Sequence, residues 1–201
     1  MTLIEEEGEA RFSTRAVCDL AKVTAPTLYH HFQSADGLLS SAITEAFEQF
    51  LVLKKMAVKS PDPVAALIEG WDNYVGFAAA RPRLCAAMMA RFLSGADLPA
   101  AREGQAMLRQ RIARIEAAGR LAITPEAAVQ LVWASVNVAA MLHLSATLQP
   151  GINMGTPDPA TVARLRNSAV QVICTSVAPK CPTDHLAVTM EVSPDPSVRC
   201  S

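Results

Sequence analysis

The sequence predicts an all-α protein, an N-terminal helix-turn-helix three-helix domain followed by a larger helical bundle. Three observations carry that expectation. Apolar residues recur at spacings of three and four through nearly every long segment, period-two alternation is almost absent, and proline or a hydroxyl or carboxylate residue opens most segments. With 201 residues, 51% of them hydrophobic, the chain can bury one substantial core, or a small unit beside a larger one. A formal net charge of −1 argues against a protein that coats polyanions and against an acidic tail. The five cysteines are scattered and odd in number, and no secretory leader is recognisable, so a reducing cytoplasm is the expected compartment.

The elements follow in order. Val17, Leu20 and Ala21 give residues 14–21 a short apolar stripe behind the possible caps Ser13 and Thr14. Thr24 can cap a second helix whose first turn holds Pro26, where a missing N–H costs nothing; Leu28 and Phe32 then face inward. Ser34 opens a long helix through Leu38, Leu39, Ile43, Ala46, Phe47, Phe50 and Leu51 to about Lys55. Pro61 and Pro63 break the pattern, and amphipathic helices are predicted over 63–80, from Arg81–Pro82 to about Gly95, and over 99–118. In the last of these Leu108, Ile112 and Ile115 point inward and Arg109, Arg111 and Arg114 face water. Thr124 and Pro125 start a helix over 125–148, and a further one runs over 158–178. The organisation expected is a small unit over 1–55, a larger one over 56–178, and a loose tail over 179–201 with a short extended piece at 186–192.

The run LVWASVNVAAMLHLSATL (131–148) is apolar, yet Asn137, His143 and several hydroxyls interrupt it, which reads as a bundle helix ahead of a membrane span. Cys174, Cys181, His185 and Cys200 lack the close spacing of a metal site, so neither a metal nor any other cofactor is expected. No nucleophile with an adjacent base and no phosphate-cradling glycine loop is present, and no catalysis is expected.

The stretch VTAPTLYHHF (23–32) is too rich in hydrogen-bonding tips for a core helix. Two short helices joined by a tight turn, the second presenting Thr24, Thr27, Tyr29 and His30, suit entry into a major groove of double-stranded DNA. Helix N-terminal N–H groups and threonine hydroxyls hold phosphates, while tyrosine and histidine reach the backbone or base edges.

Residues 13–50, STRAVCDLAKVTAPTLYHHFQSADGLLSSAITEAFEQF, closely resemble the DNA-binding domain of the tetracycline-repressor (TetR) family of bacterial regulators, chiefly through Thr-Leu-Tyr-x-His-Phe. The resemblance implies that Ser13 touches a phosphate, that Thr24 caps the recognition helix, that Thr27 and Tyr29 contact the backbone and that His30 reads a base. It also implies that His31 and Phe32 close the small unit's core. The chain departs from the family pattern in four places. Only seven residues precede Gly8, so the first helix is shortened, with Met1, Leu3 and Ile4 at its last apolar positions; Lys22 replaces a common turn glycine; and Ala25 and Ala35 stand where phosphate-binding lysines are common. Residues 1–55 hold eight acids against five bases, a net −3, which suits a DNA-facing unit poorly and implies either a natural start further upstream or weak operator binding.

The same resemblance implies an effector pocket in the second unit, with Trp71, Tyr74, Met88, Met89, Phe92, Trp133, Asn137, Met141 and His143 as candidates; for any one of them core packing is the favoured account. The reading reached is a cytoplasmic repressor that binds a palindromic operator as a homodimer through helices 125–148 and 158–178, and that a small hydrophobic effector releases. The alternative is a helical ligand-binding or interaction protein whose DNA binding is impaired by the shortened first helix.

Overall fold

A computed structural model of the chain describes residues 2–7, 12–57, 60–149, 151 and 155–175. These form α1 (Thr2–Glu7), α2 (Thr14–Ala21), α3 (Ala25–Phe32), α4 (Ala35–Ala57), α5 (Pro63–Ala80), α6 (Pro82–Leu93), α7 (Pro99–Ala117), α8 (Pro125–Leu148) and α9 (Pro159–Ile173). Extended pairing among the described residues is limited to one isolated bridge between Leu121 and Cys174. The protein is all-α. Proline occupies the first turn of every helix from α5 to α9, where its fixed φ suits the helix and its missing N–H would have had no partner. Asp62, Thr124 and Asp158 cap α5, α8 and α9 by accepting from Ala65, Ala127 and Thr161 backbone N–H groups.

Among the described residues three buried clusters hold the helices together, two larger ones and a smaller one of Ala78, Cys85, Ala140 and Leu144. In the largest Leu67, Trp71 and Val75 of α5 meet Ile112 and Ile115 of α7, Val132 and Ala139 of α8 and Ile173 of α9. Ile112, Ile115 and Ile173 are wholly buried, each contributing roughly 2 to 3 kcal/mol at most. The second core joins Ile4 of α1 to Ile43, Ala46 and Phe50 of α4 and to Leu84, Ala87 and Met88 of α6. The six-residue α1 is thus pinned by the fully buried Ile4, and Arg81 pairs with Glu5 at 3.2 Å. α4 crosses residue 55 without a break, so one rigid element belongs to both the helix-turn-helix and the bundle.

Some expectations are corrected. The stripe on α2 is not a buried stripe: no α2 residue is buried and Leu20 is 61% exposed. His31 is exposed and does not close the small core; the single buried side chain of α3 is Leu28. α9 ends at Ile173, short of 178, because Cys174 turns extended (φ −108°, ψ 136°) and bridges Leu121, while Thr175 N–H donates to the Arg120 carbonyl. Arg111 is drawn in from the solvent, with a physical consequence described below. α8 is long and apolar enough, by length and composition, to cross a membrane; in this fold one face packs on α5, α7 and α9. The tail at 179–201, with Cys181, His185, Cys200 and the 186–192 piece, lies outside the described residues.

Candidate functional site

The recognition helix α3 is framed by its own hydroxyls. Ser13, extended at φ −131°, caps α2 by accepting from Ala16 N–H at 3.2 Å. Thr24 caps α3, accepting from Thr27 N–H, and the two threonine hydroxyls lie 2.9 Å apart. Tyr29 is 44% exposed and its hydroxyl stands 3.3 Å from Thr14 Oγ1, tying the start of α2 to the outer face of α3. His30 is exposed beside it. The five residues expected to meet DNA are all exposed, on α3 or at the caps that start α2 and α3.

Both ends of α3 are made by non-glycine residues in the left-handed region, Lys22 at φ 54° before it and Gln33 at φ 62° after it. Each costs on the order of 1 kcal/mol. Beyond Gln33, Ser34 accepts from Gly37 N–H at 2.9 Å and starts α4. A Cβ at Gly37 would lie 2.2 Å from the Phe32 carbonyl oxygen, so glycine is what lets the first turn of α4 press against the end of α3. The acidic balance of this unit is softened from outside it. Arg91 of α6 donates to both Asp36 carboxylate oxygens at 3.0 Å and also to Ser40, and Arg81 engages Glu5.

A cavity of about 130 Å³ lies behind the second core, between α4, α5, α6, α7 and α8. Phe47, Phe50, Trp71, Phe77, Met88, Met89, Phe92 and Trp133 give it an aromatic and thioether wall. Its polar points are few and mostly engaged. Tyr74 donates to Asn137 Oδ1 at 3.1 Å, Asn137 Nδ2 donates to the Trp133 carbonyl at 2.7 Å, and Trp71 Nε1 donates to Ser135 at 3.1 Å. Burial raises the Tyr74 hydroxyl above its usual range and pushes the Cys85 thiol up to about 11, so both stay neutral near pH 7.

Two cations share this cavity. Lys54 of α4 places Nζ 5.6 Å from the Phe50 ring centroid and 5.9 Å from that of Tyr74, and burial, with the Arg111 charge adding to it, lowers its pKa to about 8. Arg111 of α7 lies against the backbone of Gly70, where a Cβ would fall 1.7 Å from Nη1. Burial lowers its pKa as well, although Glu69 pulls the other way.

Of the residues expected around an effector, Trp71, Tyr74, Met88, Met89, Phe92, Trp133 and Asn137 line the cavity. Met141 and His143 do not. Met141 is 49% exposed in a shallow groove on the outer face of α8, and His143, whose pKa partial burial lowers, is turned away from the cavity by its helical position six residues beyond Asn137. Sequence reasoning missed Lys54 and Arg111, along with Phe47, Phe50, Phe77 and Gln105. A cation on an otherwise solvated helix face carries no mark of burial; the one available signal was Gly70, a glycine inside a helix with no turn to make.

Fold and site together define a helix-turn-helix protein with a cavity-bearing helical bundle. The family model for bacterial regulatory proteins, tetR family, matches residues 1–42. Among solved structures, a protein of unknown function from Rhodococcus sp. RHA1 superposes with a TM-score of 0.71 at 18% identity, over 87% of this chain and 91% of that one. A TetR-family transcriptional regulator from Haemophilus influenzae gives 0.58 at 18% identity, over the same shares. No curated protein matches the chain. Residues 1–42 are thus of the tetR type, and over 87% of its length the chain shares the fold of these structures.

Proposed function

We propose that the chain is a cytoplasmic transcriptional repressor that binds a palindromic operator as a homodimer and is released when a small molecule enters the cavity. The observation that carries this reading is the continuity of α4. It starts two residues after α3 and supplies Phe47, Phe50, Leu51 and Lys54 to the cavity wall, so a displacement there is passed along about 27 Å of helix to the reading surface. α6 runs in parallel as a second link, since Met88, Met89 and Phe92 line the cavity while Arg91 holds Asp36 at the start of α4.

Dimerisation is supported by an unpartnered apolar row. Val138 (53% exposed), Met141 and Leu148 of α8, with Val172 of α9, face outward, and Val138, Met141 and Leu148 follow a three-and-seven spacing that a copy of the same helices would cover. Two recognition helices at a fixed separation then engage two half-sites, and a ligand that favours the wrong separation lowers affinity for both at once. In this reading Thr24, Thr27 and Tyr29 hold the phosphate backbone, Ser13 does the same from α2, and His30 reads a base.

Selection of bound duplexes from a randomised pool by the full chain tests this. The expected outcome is enrichment of a two-fold symmetric site occupied by two protomers. Enrichment of no sequence, or of an asymmetric site bound by one protomer, would refute the reading.

A further inference from the structure

The bundle cavity carries an unbalanced charge. Lys54 and Arg111 both line it, and among the described residues no carboxylate does. Glu69, on the α5 turn beside Gly70, attracts Arg111 without reaching the cavity wall, and Lys54 is faced by the rings of Phe50 and Tyr74. Two like charges in a low-dielectric space repel each other and each loses hydration, so an arrangement of this kind is stabilised by an anion that both can reach. The remaining wall is mostly apolar and aromatic; its neutral polar groups include the Gln105 amide, the Cys85 thiol, and the Tyr74 hydroxyl and Asn137 amide, the last two engaged with each other. The cavity volume, about 130 Å³, is close to that of an engineered cavity known to take benzene, which points to a compact apolar body.

We infer that the molecule this cavity takes is a small organic carboxylate, its anionic end held between Lys54 and Arg111 and its apolar body packed among Trp71, Met88, Phe92 and Trp133. Arg111 is the fork that can bind both carboxylate oxygens, and Lys54 is the point charge that follows. Gly70 sets the fork's position. Because Lys54 belongs to α4 and Arg111 to α7, a shared anion draws α4 toward α7; this consequence rests on the regulator reading above, whereas the binding preference does not.

The test uses the chain's own optics. Both of its tryptophans, Trp71 and Trp133, line the cavity, so intrinsic fluorescence reports occupancy directly. The full-length protein is titrated with phenylacetate and octanoate, with the matched phenylacetamide and octanamide, and with phenethylammonium. The acids are expected to bind at least about tenfold more tightly than their amides, the value of one charge-assisted contact, and the ammonium probe is expected not to bind. Lys54→Met and Arg111→Met should each erase the preference for acid over amide while amide binding persists, which also shows that the variants are folded. Amides that bind as tightly as the acids, an ammonium probe that binds best, or variants that keep the preference would overturn the inference. Acids that bind with the stated preference yet leave the operator complex intact would uphold it and count against the regulator reading alone.

Discussion

Gly70→Ala separates the position of Arg111 from its presence. The added Cβ would sit 1.7 Å from Nη1 and 2.7 Å from Cζ of Arg111, so the guanidinium must retreat by roughly 2 Å to reach ordinary contact distance. The obstacle is the far end of a flexible side chain, and the retreat moves a desolvated cation toward water. Alanine inside a helix is worth roughly 0.5 to 1 kcal/mol over glycine, so the fold should be unharmed or slightly stabilised. For a chain of this size that is a rise of about 1 to 3 °C in Tm. The carboxylate contact, by contrast, should be lost, a change of about 1.5 to 3 kcal/mol and hence roughly ten- to a hundredfold in Kd. Thermal melting followed by circular dichroism gives the first quantity, and tryptophan fluorescence titration with phenylacetate gives the second. A variant that melts well below the parent while binding the acid unchanged would refute the reasoning, because it would mean that Gly70 serves packing and not the placement of Arg111.

Two further outcomes follow from the same geometry. Tyr29→Ala should weaken binding to all duplexes alike, whereas His30→Ala should change which half-site base is preferred; parallel losses across a randomised operator library would contradict the division of labour. Lys54→Met should stabilise the fold at pH 7. The folded-state pKa of about 8 lies below the ordinary 10.5, so the charge is an uphill burden below pH 8, and parent stability rises with pH between about 8 and 10.5 as the unfolded chain binds the proton more tightly. At face value the shift is about 3 kcal/mol, which partial exposure to water reduces to about 1 to 2. Cys85, pushed up to about 11, stays protonated through most of that window. Urea unfolding at pH 7 and pH 10 should show the variant's advantage shrinking with pH, and an advantage equal at both would assign it to packing.

The helices were legible because their boundaries are local events. Pro125 behind Thr124, or Pro63 behind Asp62, fixes a start whatever surrounds it, and α5 and α8 fall where those residues place them. The exposure of Thr24, Thr27, Tyr29 and His30 was legible for a related reason, since so many polar tips crowd into one short helix and its cap. Depth was not legible. Arg109, Arg111 and Arg114 share a helix and a chemistry, yet only Arg111 meets the bare backbone of another helix that passes near it. Met141 and Trp133 lie two turns apart on α8, but the helix turns 100° per residue and the cavity ends between them. The end of α9 was invisible for the same reason, being set by a partner at Leu121 more than fifty residues away.

The thin packing of the reading unit has a consequence for the order in which the molecule comes apart. α2 buries no side chain and α3 buries Leu28 alone, while left-handed Lys22 and Gln33 bracket α3 with local strain. Amide protons there should exchange through small openings far below the global unfolding free energy, whereas those of α5 and α8 should wait for the whole bundle to open, an order that native-state hydrogen exchange would read. Under the proposed function, duplex DNA held at both ends of α3 would supply the contacts that the protein's own interior does not, so that the operator would be for this unit the last piece of its folding.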